Sequence, residues 1–395
     1  MTALKEVFVV SAVRTAIGTY GGSLKDTPLD ELATLVVKEA LARAAVPASG
    51  VGHVVMGNVI PTAPKDAYLS RVAALSAGVP VTTPAFNVNR LCGSGVQAIV
   101  SAAQNIMLGT CDIAVAAGAE SMSRGPYLMQ SARWGARMGD TQLLDYMVGV
   151  LHDPMHQIHM GITAENVADE FDVTRGDMDA LAAESHRRAA AATEAGYFSS
   201  QIVPVPIVRA RQPTTFEIDE HVKGDTTVEA LAKMKPAFRK DGSVTAGNSS
   251  GINDGAAALA LASADAVKAH GLTPLARLVS YGHAGVEPKI MGIGSVPAAR
   301  QALQRAGLST SDIATVEANE AFAAQACAVT RQLELDPAIV NPNGSGISLG
   351  HPIGATGAII STKAIHELHR TGGRYALVTM CIGGGQGIAA IFERM

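Results

Sequence analysis

The feature that most restricts the fold is an internal echo between the two ends of the chain. Near the N-terminus a strand-like run, EVFVVSA, leads into an amphipathic helix, LDELATLVVKEALARAAV, and a second apolar run, HVVMGNVI. NVNRLCGSGVQAIVSAAQNIMLG and DIAVAAGAES follow, so helix and strand alternate as in a layered α/β fold. The C-terminal third repeats the plan: SVPAARQALQRAG precedes IATVEA, and GHPIGATGAIISTKAIHEL precedes RYALVTMCI. Asn58 lies 15 positions after Arg43, with Cys92 34 beyond it; Asn319 lies 14 after Arg305, with His351 32 beyond it. The echo predicts two similar lobes presenting Cys92 and His351 at equivalent strand-to-helix corners, which a pseudo-twofold packing brings together. Chance likeness between two α/β segments is the competing reading. Two lobes also suit a chain of 395 residues, beyond the size at which single cores stop growing.

Between the repeats, residues 123 to 245 differ in kind. SRGPYLMQSARWGARMGD is polar and holds the only tryptophan, TAENVADEFDVTRGDMDALAAESHRRAAAATEAG reads as helices with Thr and Asp caps, and RARQPTTFEIDEHVKGDTTVEALAKMKPAFRKDGS reads as loop. An insertion of this length in a compact fold is usually functional, and here it is expected to cover a site. A net charge of −4 gives no bulk attraction to nucleic acid or an anionic membrane, so any anionic ligand is held locally. No apolar run is long enough to span a bilayer, the start MTALKEVFVVSAVRT lacks the marks of a signal peptide, and IFERM is no peroxisomal address. The expected location is the cytoplasm. The four cysteines, Cys92, Cys111, Cys327 and Cys381, have neither zinc-site nor disulfide-framework spacing, which predicts free thiols.

Cys92 stands in a glycine-rich turn that opens the helix VQAIVSAAQNI. A free cysteine is often only a small buried hydrophobe. In this setting, however, amide N–H groups and the helix dipole would face the sulfur, lowering its pKa and offering an oxyanion site. His351, in LGHPIGATGA, is either a structural histidine or a base and oxyanion donor at the corner facing Cys92. Cys381, in TMCIGGGQG, ends a strand where glycines permit close approach of a ligand. Asn319, in EANEAF, is either a turn residue or one that orients a water or a substrate oxygen.

Together these residues resemble the thiolase family. RLCGSGVQAI is similar to its nucleophile signature, NEAFA to its asparagine signature, GHPIGATGA to its histidine signature and CIGGGQG to its second-cysteine signature, in the family's order. The likeness runs from EVFVVSAVRTAIG to the C-terminus. NPNGSGISLGHPIGATGA and VTMCIGGGQGIAAIFER most resemble the bacterial acetyl-CoA acetyltransferases, above all the β-ketothiolase B type. The resemblance implies two βαβαβαββ lobes stacked in five αβαβα layers. Residues 1–122 with 246–270 would form the N-terminal lobe, 271–395 the C-terminal lobe, and 123–245 a loop domain over coenzyme A.

It also implies that Cys92 is acylated, His351 activates it and Cys381 moves the proton on the α-carbon. Asn319, through a water, and His351 would form one oxyanion hole, and the N–H groups of Cys92 and Gly383 the other. Coenzyme A contacts would come from His159, Met160, Lys223, Phe238, Ala246, Ser250, Met291 and Phe322. Lys223 stands where relatives often carry arginine, and Ala230 where they carry a serine, so the nucleotide end departs from the pattern. A homotetramer is implied, with ARWGARMGD in the tetramerisation loop. Coenzyme A and acetyl-CoA would be substrates, with no tightly bound cofactor.

Three other readings compete. His152, His156 and His159, spaced four and three, could hold a metal on a helix, but Pro154 interrupts it and no carboxylate completes the set. A non-catalytic module that binds coenzyme A or lipid would have lost a reactive residue, and none is lost. A decarboxylating ketoacyl synthase would carry histidine where Cys381 stands.

Overall fold

The computed structural model describes residues 4–209 and 211–395. The elements that frame the site begin with β1 (Val7–Thr15), α1 (Leu29–Arg43), β2 (His53–Gly57), α2 (Leu69–Ser76), β3 (Ala85–Val88), α3 (Ser94–Met107) and β4 (Ile113–Ser121). After α4 (Met160–Glu170) and α5 (Arg175–Glu194) of the insertion, β5 (Asn253–Ser263) returns to the first half. The second half comprises β6 (Ala276–Gly285), α6 (Ser295–Ala306), β7 (Ile313–Ala318), α7 (Ala323–Gln332), α8 (Thr356–Thr371), β8 (Tyr375–Ile382) and β9 (Gln386–Arg394).

The two halves share one strand order. In the first it is β3-β2-β4-β5-β1, and in the second a single parallel bridge at Val340 takes the outer place before β7-β8-β9-β6. Directions match as well: the outer pairs are parallel, and the last two junctions in each half are antiparallel. Each half's first strand even slips register at a like place, between Val9 and Ser11 in β1 and between Leu278 and Ser280 in β6. The half-sheets are not separate, because Phe8 and Val9 pair with Arg277 and Ala276 and join β1 to β6 edge to edge. That junction leaves no free strand edge at the seam.

Helices complete a five-layer stack. α1 packs on the first half-sheet and α6 on the second, while α3 and α8 lie between them and touch each other. β4 and β5 are buried at every position, which explains their nearly continuous small apolar runs AVAAGA and AAALALA. α8 is buried almost all round through residue 365, so its polar residues need partners: Lys363 donates to Glu317 at 2.7 Å and to the Gly344 carbonyl at 2.6 Å.

The insertion differs from the sequence reading in detail. The stretch expected to be loop contains the second strand of a hairpin, Gln212–Phe216, which pairs with Val205–Arg209, and a short helix, Val228–Ala232, capped by the Thr227 hydroxyl. Of the expected caps, Thr174 with Asp177 forms a capping box on α5, but α4 starts earlier than Thr163 and is capped by His159. β2 stops at Gly57 rather than running through NVI, because the backbone amides of Val59 and Ile60 turn to the buried carboxylate of Glu120. A buried Arg14–Asp219 pair, at 2.7 and 2.9 Å, ties the insertion to β1, and α4 and α5 pack over α7.

The two inner helices meet at their first turns. A Cβ on Gly95 would collide with the Ala358 amide and lie 2.9 Å from the Gly357 Cα; one on Gly357 would collide with the Val96 amide. Gly357→Ala is expected to cost about 1–3 kcal/mol through overpacking and to reduce activity with it. Gly176→Ala, whose Cβ meets nothing nearer than the Thr174 hydroxyl at 3.7 Å, is expected to be neutral or stabilising. Thermal midpoints and turnover of the two variants check this.

Candidate active site

The Cys92 corner is a tight, strained turn. Leu91 just before it has φ +46°, unusual for a branched residue, and the turn is closed by Gly93 N–H to Arg90 and Ser94 N–H to Leu91 carbonyls, both at 3.0 Å. The Ser94 hydroxyl donates to the Leu91 carbonyl and accepts from the Arg90 amide, fixing the turn at the start of α3. Cys92 is half-buried, with its own N–H and that of Gly383 directed at its sulfur. Those are the two amides expected to form one oxyanion hole. Gly383 follows Ile382 at the end of β8 and packs between Leu91 and Met160.

Cys381 is fully buried two residues before Gly383, close enough to Cys92 for the charge of that sulfur to act on it. Asn319 joins from β7, its N–H bonded to the Thr379 carbonyl of β8 at 3.0 Å. Its side-chain Nδ2 lies 3.4 Å from Nε2 of His351, and its Oδ1 is buried with no partner among the described residues. An orphaned acceptor beside an imidazole is a place for a water or a substrate group. The His351 N–H donates to Asn253 at 2.9 Å, which ties the corner to β5.

Electrostatics correct one expectation. Burial pushes the Cys92 thiol up to about 11, against the pull of the Gly383 and Cys92 amides, rather than down toward a resting thiolate. Burial also lowers His351 to about 4 and raises Cys381. A neutral thiol and a neutral imidazole are therefore the resting pair. The sulfur's proton must leave during attack, to a base.

Sequence reasoning missed Glu120. It is buried at the end of β4 and accepts from the amides of Val59 (3.1 Å), Ile60 (3.0 Å) and Gly354 (2.8 Å) and from Asn58 Nδ2 (3.0 Å). Gly354 belongs to the His351 loop, so this one carboxylate clamps the second-half corner onto the first half. Burial raises its pKa to about 8 although these donors pull the other way. Its neighbours in sequence, GAES, carry no signal of that role.

Of the expected coenzyme A residues, Met160, Met291 and Phe322 are buried in one apolar cluster with Phe238 packed on it. His159 stacks on Phe238 with ring centres 4.8 Å apart, and Phe238 meets Phe322 edge-on at 6.1 Å. Ser250 N–H donates to the Ala321 carbonyl at 3.0 Å, and Ala246 is exposed on the same loop. Lys223 is exposed, its backbone amide donating to Nδ1 of His186. Ala230 is exposed in the short helix Val228–Ala232. The three spaced histidines do not converge: His152 pairs with His159 across a short hairpin, whereas His156 faces Asp153 and Glu287. Among the described residues no cluster of three or more side chains is arranged to hold a metal.

Comparison with known proteins decides the family. Residues 7–265 match the thiolase N-terminal domain and 272–394 the thiolase C-terminal domain. The chain belongs to the thiolase family. It is 66% identical to beta-ketothiolase BktB of Cupriavidus necator, over 99% of this chain and all of that one. It is 48% identical to an acetyl-CoA acetyltransferase of Pseudomonas aeruginosa, over 99% of this chain and all of that one. Among solved structures it superimposes on the Bacillus anthracis acetyl-CoA acetyltransferase with TM-score 0.98, 48% identity and full coverage of both chains. Human mitochondrial 3-ketoacyl-CoA thiolase, solved in complex with CoA, gives 0.96 at 46% identity, over 99% of this chain and 98% of that one. This thiolase has the thiolase fold and is an acyltransferase that makes or breaks the carbon-carbon bond of a 3-ketoacyl thioester.

Burial in this thiolase sets a pH signature. His186, His283 and His351 are all lowered to about 4 from 6.5. Between those values the unfolded chain binds the extra protons, so the stability these residues contribute is complete above 6.5 and is lost as pH falls toward 4. The thermal midpoint is expected to drop across that window. His186→Gln, outside the site, should make the drop shallower.

Proposed function

We propose that the enzyme works through an acyl-Cys92 intermediate on coenzyme A thioesters, with His351, Cys381 and Asn319 as its catalytic partners. In the first half-reaction the Cys92 sulfur attacks an acyl-CoA carbonyl while His351 takes the thiol proton and then delivers it to the departing coenzyme A sulfur. The oxygen anion formed at that carbonyl sits on the N–H groups of Cys92 and Gly383. In the second, Cys381, a thiol at rest, first passes its proton to His351 and then, as the thiolate, removes a proton from the α-carbon of another acyl-CoA, and that carbon attacks the acyl group. The Cys92 sulfur leaves and regains a proton, so the C–H bond lost is balanced by the S–H bond restored. His351 and a water on Asn319 hold the second oxygen anion. Thiolysis runs the same steps backward. The observation that carries this reading is the meeting of two amides at the Cys92 sulfur beside the buried Cys381, with Asn319 against His351.

Coenzyme A is read as a substrate, its pantetheine lying along His159, Met160, Phe238, Ala246, Ser250, Met291 and Phe322, and its nucleotide end near Lys223. We assign residues 1–122 with 246–270 to the N-terminal lobe, 271–395 to the C-terminal lobe and 123–245 to the loop domain. We also read the enzyme as a cytoplasmic homotetramer. Trp134 and Met138 are exposed by 84% and 96% along the proposed tetramerisation loop, an apolar surface that favours burial against other copies. Among the described residues no helix is long and apolar enough to cross a membrane.

The resemblance to the β-ketothiolase B type implies acyl chains beyond acetoacetyl. Thiolysis of 3-ketovaleryl-CoA is expected at a rate comparable to acetoacetyl-CoA, and a strict four-carbon limit overturns that reading. Cys381→Ser is expected to retain acylation of Cys92 while condensation falls by about 100-fold or more. Quenched single-turnover kinetics separate the two steps, and equal loss of both contradicts the assignment.

A further inference from the structure

The hydroxyl of Thr356, the first residue of α8, lies 2.7 Å from Nδ1 of His351 and 2.9 Å from the Pro352 carbonyl. It is 2% exposed, so no bulk water competes for it. A carbonyl only accepts, so the single hydroxyl proton is directed to Pro352, leaving oxygen lone pairs toward the ring. Nδ1 must then carry the imidazole proton, and Nε2 the lone pair. The other face agrees, because Nε2 meets the donor Nδ2 of Asn319 at 3.4 Å. The opposite tautomer would oppose two donors at Asn319 and would draw the Thr356 hydroxyl proton away from Pro352.

We infer that Thr356 is a positioning residue that holds His351 in its Nδ1–H tautomer, keeping Nε2 free to take the Cys92 proton. The inference rests on the proposed reading of His351 as base. The usual orienting partner of a catalytic histidine is a carboxylate, which would also favour the charged ring. A neutral hydroxyl fixes the ring without adding charge. It still accepts from Nδ1–H when Nε2 gains its proton, so the ring turns in neither state. The geometry comes from the GHPIGAT segment itself: Ala355 and Thr356 amides both donate to the Pro352 carbonyl, at 2.8 and 2.9 Å, placing the Thr356 side chain under the ring.

The test compares Thr356→Val, which keeps shape and loses the hydroxyl, with Thr356→Ser, which keeps the hydroxyl. For Thr356→Val, kcat for acetoacetyl-CoA thiolysis is expected to fall about 100-fold with KM nearly unchanged, and Cys92 alkylation by iodoacetamide to slow in parallel. Thr356→Ser is expected to recover most of both. If Thr356→Val does not fold, Thr356→Ala against Thr356→Ser makes the same comparison. Equal activity with and without the hydroxyl overturns the inference, as does a loss in every variant that tracks only the thermal midpoint. His351→Ala separates the two levels: unchanged alkylation and turnover in that variant sinks the reading of His351 as base, whereas loss there with full activity in Thr356→Val sinks only the role of Thr356.

Discussion

The contact between the first turns of α3 and α8 is the constraint on which the rest depends. Each helix follows one of the two repeated corners, Cys92 before one and His351 before the other, and each offers a glycine where they cross. With side chains at Gly95 and Gly357 the helices would stand further apart, and the corners with them. The half-sheets are held to the same geometry by the β1–β6 junction and by Glu120, whose carboxylate reaches from β4 to the His351 loop. A fold built twice thus meets itself at one point, and the residues we propose as the reactive groups lie at that point.

Around the half-buried Cys92 that point is largely enclosed, with Cys381, Asn319 and His351 all buried, and this burial determines how the chemistry can run. Enclosure raises the Cys92 thiol and lowers the His351 imidazole, so the pair is neutral at rest. A neutral nucleophile is protected from casual reaction and is activated only when a carbonyl occupies the amide pair. The electrostatic help is therefore reserved for the oxygen anion of the transition state, where fixed amide dipoles in a poorly solvated site act most strongly. The unpartnered Oδ1 of Asn319 fits the same plan, as a polar group held ready without a protein partner.

Much of this was legible in the chain because the repeat carries chemistry at fixed spacing. The spacings from Arg43 and Arg305 placed Cys92 and His351 at equivalent corners, and the structure places both just before buried inner helices. Strand order was less legible, since the outer strand of the second half shrinks to a bridge at Val340 and the edge pairing of β1 with β6 leaves no local signature. The thiol's raised pKa went the other way from the expectation because amides and helix dipole are visible in sequence while burial is not. Glu120 and Thr356 were missed for a related reason: each acts through backbone groups distant in sequence or through the direction of one hydrogen bond. The hairpin's second strand, Gln212–Phe216, hid in a polar stretch whose alternation is weak.

The central claim is that Cys92 carries the acyl group. Incubation with acetyl-CoA followed by intact mass and peptide mapping, on the wild type and on Cys92→Ser, tests it directly. The account predicts one acetyl group per chain, on Cys92, and none in the variant. Binding of coenzyme A without any adduct, or an adduct that survives on Cys381 in the variant, contradicts it.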